Sequence, residues 1–125
     1  MPRRYEEAVA AVTGPGGPFE IVEERVDGQP LRVFRNTPPS LRDLFAGARA
    51  RGERTFLVYE DECWSFGRVM AEADALAASL VRHHGVAPGD RVALALRNYP
   101  EWVIAFAAIT SVGAVSVSMN AWWTT

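Results

Sequence analysis

The chain has 125 residues, 49% hydrophobic and 22% charged, a composition typical of one soluble globular domain. Its net charge of −2 comes from 13 basic and 15 acidic side chains scattered along the sequence, which argues against nucleic acid as a partner because no basic stripe is present. All 13 basic residues are arginines, which excludes chemistry that needs a lysine amine on a phosphate, a Schiff base or an acyl phosphate.

The first predicted elements are a surface helix and a β-hairpin. Apolar residues recur at helical spacing over residues 4–12, and the glycine- and proline-rich segment 13–18 ends the helix. The opening MPRRYEEAVAAV lacks the layout of a secretory signal, because two glutamates and only a short apolar run follow its arginines. Segments 19–26 and 31–35 flank the turn sequence DGQP at 27–30, in which glycine permits the positive φ of a hairpin turn.

A second helix and a second hairpin follow. Ser40 can cap a helix in LRDLFAGARARG, which carries one apolar stripe and is predicted to end at Gly52. RTFLVYE and CWSF are rich in β-branched and aromatic residues and are joined at Asp61-Glu62, which predicts a tight hairpin. Asp61 and Glu62 form a carboxylate pair, but a solvent-exposed turn tunes neither group for acid–base catalysis. We therefore assign both as turn residues.

A long helix is predicted over residues 66–84. Its apolar residues recur every three or four positions, and Gly85 follows as a C-terminal cap. His83 and His84 are adjacent, so their side chains point about 100° apart on a helix and do not suit one metal ion. We assign them to favourable cationic placement at the helix end.

The last predicted unit has strands at 91–96 and 114–119 and a helix that starts at Pro100. The two strands are expected to be parallel, with the helix as their crossover. Residues 102–125 carry no charge, and about 20 apolar residues could span a bilayer. However, serine, threonine, glycine and asparagine interrupt the run, and residues 115–119 alternate as a strand does. We therefore predict a buried helix and strand.

Three further features suggest little chemistry. GPGG at residues 14–17 could form a phosphate cradle, but a predicted helix precedes it, a strand follows it, and its prolines lack N–H donors, so we assign a linker. Trp122 and Trp123 could stack on a ligand, but no basic groove accompanies them, and we assign them to buried surface. Cys63 is the only cysteine, which excludes an intrachain disulfide and predicts a reducing, cytoplasmic compartment.

Three stretches follow one another in a distinctive order: WSFGRVMAEADALAASL, PGDRVALALRNYPEWVIAFAAI and SVGAVSVSMNAWW. Together they resemble the N-terminal part of an adenylate-forming acyl-CoA synthetase, from the AMP-binding ligase family that includes fatty-acid–CoA ligases. The matching positions are Trp64 to Phe66, Gly89 to Val92, Asn98 with Glu101, and Gly113 to Val115. Two positions depart from the family pattern. Arg68 replaces a glutamate that would close a capping box with Ser65, and Ser118 replaces a proline.

The resemblance implies activation of a carboxylic acid by ATP to an acyl adenylate, followed by transfer to coenzyme A, with Mg²⁺ screening the phosphates. The family's lysine-containing phosphate loop, acyl-pocket and adenine-binding segments, ribose-binding aspartate and C-terminal lysine have no counterpart in residues 1–125. We therefore expect the carboxylic acid, ATP, Mg²⁺ and coenzyme A to bind a longer parent enzyme and not this chain. No catalytic, cofactor-binding or metal-binding residue is assigned here.

We thus predict that residues 1–125 are an α/β N-terminal fragment of an adenylation domain, with β-hairpins, a βαβ crossover unit and an incomplete sheet. Residues 1–53 would form a lead-in helix, hairpin and helix, and residues 54–125 a hairpin, long helix and strand–helix–strand unit. The expected partner is the remainder of the domain, and the isolated fragment should be inactive and should self-associate or lack a cooperative unfolding transition. Two alternatives remain: a free-standing α/β binding module, and a membrane-anchored protein with its span at 102–125.

Overall fold

The structure is a computed structural model that describes residues 2–120. Within this range the chain forms four helices and six strands. In chain order they are α1 Pro2–Thr13, β1 Ile21–Val26, β2 Gln29–Phe34, α2 Leu41–Arg49, β3 Thr55–Tyr59, β4 Glu62–Ser65, α3 Phe66–His84, β5 Arg91–Leu94, α4 Pro100–Ser111 and β6 Val115–Ser118. The chain divides into two compact units between Pro39 and Ser40. α2 therefore groups with the elements that follow it, whereas the sequence analysis placed it with residues 1–53.

The first unit contains α1 and an antiparallel hairpin of β1 and β2. The hairpin register runs from the pair Ile21 and Phe34 to the pair Val26 and Gln29. Its turn is only Asp27-Gly28, where both residues have positive φ, 50° and 80°, as a two-residue type I′ turn requires. The predicted turn over 27–30 was therefore two residues too long. Proline at position 30 is tolerated within β2 because both strands of an isolated hairpin are edge strands.

Glu20 contacts both the loop that follows α1 and the residue that follows β2. Its carboxylate lies 2.9 Å from Arg35 Nη2 and accepts a hydrogen bond of 3.1 Å from the Gly16 N–H. The hydrogen bond from Arg35, followed by the one from Gly16, lowers the pKa of the Glu20 carboxyl. The rings of Phe19 and Phe34 meet edge to face nearby, with centroids 6.2 Å apart.

The second unit begins with α2 and the hairpin of β3 and β4. The hydroxyl of Ser40 accepts the Asp43 N–H at 3.2 Å and so caps α2, as predicted. The helix ends at Arg49 and not at Gly52, because the N–H groups of Arg51 and Gly52 bond to carbonyls only three residues back. Such bonds tighten a last turn and stop an α-helix.

The bounds of α3 agree with the prediction over residues 66–84. The hydroxyl of Ser65 accepts the Arg68 N–H at 3.1 Å, so the N-cap forms even without the family's glutamate at this position. Gly85 takes a left-handed conformation with φ of 65°, and the N–H of Val86 reaches the carbonyl of Leu80. This pattern is typical of a glycine C-cap.

The strand–helix–strand prediction is also confirmed. β5 and β6 pair in parallel, with Arg91 opposite Val115 and Leu94 opposite Ser118, and α4 connects them. The two strands are shorter than predicted. None of the helices in residues 2–120 is both long and apolar enough to cross a membrane.

The composition of α4 is explained by burial on two sides. Ile104, Ala107 and Ala108 belong to one core cluster with residues of α3 and β4. Ala105 and Ile109 belong to a second cluster with residues of β5 and the segment before β6. A helix that is apolar all round is expected where two layers cover it, which answers why residues 102–111 carry no charge.

The outer face of the β5–β6 sheet, defined here as Arg91, Ala93, Val115 and Val117, is uncovered in the described chain. Val115 is 49% exposed and Val117 is 37% exposed. Ser116 points to the opposite side, where its Oγ is buried and, among the described residues, has no hydrogen-bond partner. Each of the three sheets formed by residues 2–120 has two strands, so both edges of this parallel pair are open.

Candidate functional site

Two motif segments, Gly89 to Val92 and Gly113 to Val115, contact each other through their backbones. We call this contact the β5–β6 joint. The Gly89 N–H donates to the Gly113 carbonyl at 2.9 Å, and the Val115 N–H donates to the Asp90 carbonyl at 2.7 Å. Gly113 has φ of 80°, and a Cβ at this position would lie 3.2 Å from Pro88 Cβ. Glycine is favoured here because a side chain would be strained at this φ and would crowd Pro88. These contacts hold β5 and β6 side by side in their parallel register.

The Asn98 and Glu101 motif lies at the start of α4. Pro100 occupies the first turn, where a missing N–H costs nothing, and Glu101 adds a negative charge near the positive helix end. Tyr99 is the N-cap residue, and its side chain makes no capping hydrogen bond. This motif therefore starts α4 and places Tyr99 at the N-terminal end of that helix.

The glycine segment 14–17 does not form a phosphate cradle. As predicted, α1 precedes it and β1 follows it. The N–H groups of Gly14 and Gly17 donate to backbone carbonyls, and the Gly16 N–H donates to the Glu20 carboxylate. An anion cradle needs free N–H groups that converge on one point, and these donors are already used.

The two histidines occupy the end of α3, as predicted, and both side chains are exposed. Within residues 2–120, no group of three or more histidine, cysteine, aspartate or glutamate side chains is arranged to hold a metal ion. Cys63 is exposed on β4.

Asp61 and Glu62, which were both predicted to lie in the turn of the second hairpin, belong to different elements of the structure. The turn residues are Glu60 and Asp61, and Glu62 is the first residue of β4, paired with Tyr59. The predicted turn was therefore displaced by one residue, because Glu60 adopts positive φ of 53°. Glu62 Oε2 accepts a hydrogen bond of 2.9 Å from Trp64 Nε1, a role that the sequence did not indicate. Trp122 and Trp123 lie outside the described residues.

A cleft that sequence reasoning missed opens between the β3–β4 hairpin and the start of α4. We call it the tyrosine cleft; it has a volume of about 300 Å³ and is lined by Tyr59, Glu62, Trp64, Leu96, Tyr99, Pro100 and Glu101. The rings of Tyr59 and Tyr99 meet at 86° with centroids 5.4 Å apart. Burial is the main cause that raises the pKa of the Tyr59 hydroxyl, and the negative charge of Glu60 adds to it.

A larger open groove lies on the other side of this unit, among α2, α3 and the end of α4. It has a volume of about 680 Å³. Arg49 and Asp74 both line the groove. The guanidinium of Arg49 donates two hydrogen bonds, of 2.6 and 2.7 Å, to the carboxylate of Asp74. The hydrogen bond to Asp74 raises the pKa of Arg49. Both side chains are about half exposed, and such pairs contribute at most about 1 kcal/mol.

Comparison with known families places these features in context. A sequence profile described as "AMP-binding enzyme" matches residues 44–125 of the chain. The match begins within α2, at Leu44, and covers all the elements that follow it, including both segments of the β5–β6 joint.

Two of the curated relatives are CoA ligases. Medium/long-chain-fatty-acid–CoA ligase FadD6 of Mycobacterium tuberculosis is 36% identical over 86 residues, which cover 68% of this chain and 14% of that ligase. A 2-succinylbenzoate–CoA ligase of Bacillus velezensis is 32% identical over 77 residues, 62% of this chain and 16% of the ligase. The chain thus spans about a seventh of the length of these relatives.

The fold also matches solved structures of such enzymes. In the anthranilate CoA ligase AuaEII in complex with anthranoyl-AMP, the match covers 70% of this chain and 17% of that one, with a TM-score of 0.65 and 27% identity. The small, incomplete sheets of this chain therefore correspond to the N-terminal part of a larger α/β domain.

Proposed function

The chain belongs to the AMP-binding enzyme family, and on that premise we propose that it is the N-terminal scaffold segment of an adenylate-forming acid–CoA ligase. In such an enzyme the substrate carboxylate attacks ATP, which releases pyrophosphate and forms an acyl adenylate. The coenzyme A thiol then displaces AMP and forms a thioester. The observation that carries the proposal is the match of residues 44–125 to the family.

The residues described here do not fit ATP, Mg²⁺ or coenzyme A. The glycine segment 14–17 has its N–H groups engaged within the chain, and the carboxylates of residues 2–120 do not cluster as a metal site. The chain contains no lysine to reach a phosphate. We therefore derive no catalytic step through these groups here and assign the chemistry to the rest of the ligase.

We propose a fatty acid as the substrate class of the complete enzyme. The similarity to FadD6, a medium/long-chain-fatty-acid–CoA ligase, supports this choice. The anthranilate and 2-succinylbenzoate ligases among the relatives favour an aryl acid as the second candidate. The single cysteine fits a cytoplasmic location.

The scaffold role assigns a task to the outer face of the β5–β6 sheet. Parallel sheets are normally covered on both faces, and α4 covers only one face of this pair. We propose that the remainder of the adenylation domain packs on Val115 and Val117 and adds strands at an open edge.

A chimeric ligase tests this proposal. The segment of FadD6 that this chain matches is replaced by the corresponding residues of the chain, and fatty-acid-dependent exchange of pyrophosphate into ATP is measured. We expect exchange to stay within about tenfold of FadD6, and we expect an unchanged chain-length preference, because a scaffold segment does not form the acyl pocket. A changed preference would contradict the scaffold role.

Two variants of the chimera serve as controls. Ile104→Asp places an unpaired charge among the buried residues of α4, and we expect it to reduce exchange more than about 100-fold through loss of folding. Glu72→Gln changes an exposed residue of α3, and we expect no effect. An inactive parent chimera whose far-UV circular dichroism matches that of FadD6 would contradict the proposal.

A further inference from the structure

The tyrosine cleft has the geometry of an aromatic corner. The ring planes of Tyr59 and Tyr99 are nearly perpendicular, at 86°, and their centroids are only 5.4 Å apart, so the rings pack edge to face, and both side chains form part of the cleft wall. Trp64, which is 8% exposed, also lines the cleft. Aromatic faces carry negative electrostatic potential, and walls of this kind attract cations.

The charged side chains that line the cleft are two carboxylates. Glu62 and Glu101 line it together with the aromatic residues, and its lining contains no arginine or histidine. The hydrogen bond from Trp64 Nε1 fixes the carboxylate of Glu62. The second carboxylate, Glu101, lines the same cleft as the two tyrosines. These two carboxylates would attract a ligand with positive charge.

The chain itself contains an example of the same attraction. The guanidinium carbon of Arg68 lies 3.5 Å from the centroid of the Trp64 ring, although Arg68 does not line the cleft. The cation there is weakly hydrated and planar. Methylated ammonium groups are also weakly hydrated, and aromatic cages are their usual binding sites in proteins.

We propose that the tyrosine cleft binds a small organic cation with a methylated ammonium group, held by the rings of Tyr59 and Tyr99 and by the carboxylates of Glu62 and Glu101. The volume of about 300 Å³ is at the lower end of the range for small-molecule sites and suits a compact ligand. This site is separate from the proposed adenylation chemistry, and neither proposal depends on the other.

Choline is the probe for the test, and the readout is the set of amide chemical shifts in NMR titration of the complete chain with Val115→Thr and Val117→Thr, two changes that reduce exposed apolar surface and lie outside the cleft. We expect saturable shifts at Tyr59, Tyr99 and Glu101. We also expect the neutral isostere of choline, in which carbon replaces the ammonium nitrogen, to bind at least about fivefold more weakly, because it lacks the charge that the rings and carboxylates attract. Equal binding of the two probes, or no saturable shift with choline, would overturn the proposal.

Variants separate the two kinds of contact. Tyr99→Leu removes one wall and Glu101→Gln removes one charge, and we expect each to weaken choline binding by about two- to fivefold. Glu72→Gln on exposed α3 removes a charge away from the cleft and should leave binding unchanged. An equal loss in the Glu72 variant would reveal a general charge effect and would also overturn the site.

Discussion

Replacement of Trp64 by alanine is expected to raise the hydrogen-exchange rates of the central amides of α3 by roughly 100- to 4,000-fold. Trp64 is 8% exposed and packs in the cluster of Val69 and Met70. Truncation of a buried tryptophan costs about 3–5 kcal/mol, and every 1.4 kcal/mol changes an opening equilibrium tenfold. Exchange followed by mass spectrometry, with peptides that cover α3, measures the effect.

Two variants separate the causes of this loss. Arg68→Met keeps the indole ring but removes the cation above it, and we expect less than about a tenfold change, because an exposed cation–π contact contributes about 0.5–1 kcal/mol. Trp64→Phe keeps a buried ring but removes the hydrogen bond to Glu62, so we expect an intermediate effect. Exchange in Trp64→Ala within threefold of the original chain would contradict this description of the core.

The isolated chain is expected to self-associate through the outer face of the β5–β6 sheet. Val115 and Val117 are exposed there beside open strand edges, and uncovered apolar strands pair with other chains. The double variant Val115→Thr, Val117→Thr keeps the β-branched shape and removes apolar surface. We expect it to weaken association by roughly 100-fold, from about 1.5 kcal/mol for each valine.

Light scattering coupled to size-exclusion chromatography measures this association over a range of concentrations. Val58→Thr is the matched control, because Val58 is 69% exposed on β3 and lies outside the sheet of β5 and β6. It should leave the association unchanged. If the original chain is monomeric and unfolds in one sharp transition, the expectation of self-association is wrong, and a free-standing module is favoured.

The parts of the fold that the sequence predicted well depend on local chemistry. Ser65 and Gly85 fixed both ends of α3, because a cap and a left-handed glycine act within one helical turn. The hairpin turns were less accurate. Pro30 was predicted to lie in the first turn, yet it belongs to β2 because an edge strand accepts proline, and positive φ at Glu60 moved the second turn by one residue.

The cleft could not be predicted because it depends on contacts between distant segments. Tyr59 and Tyr99 are 40 positions apart in sequence, and neither belongs to a motif that indicates binding. Glu62 was assigned to a solvent-exposed turn, whereas its carboxylate accepts the hydrogen bond from Trp64. The sequence allowed the motifs at Gly89 and Gly113 to be recognised separately, but it did not indicate that they contact each other.

Titration of the 125-residue chain with ATP and Mg²⁺, followed by calorimetry, tests the central claim that this segment provides scaffold and no adenylation chemistry. We predict a dissociation constant no tighter than about 1 mM, and no acyl adenylate when a fatty acid is added, because the chain has no lysine and its glycine-segment N–H groups are engaged. A dissociation constant of about 1 μM would contradict the claim and would indicate a nucleotide site within these residues.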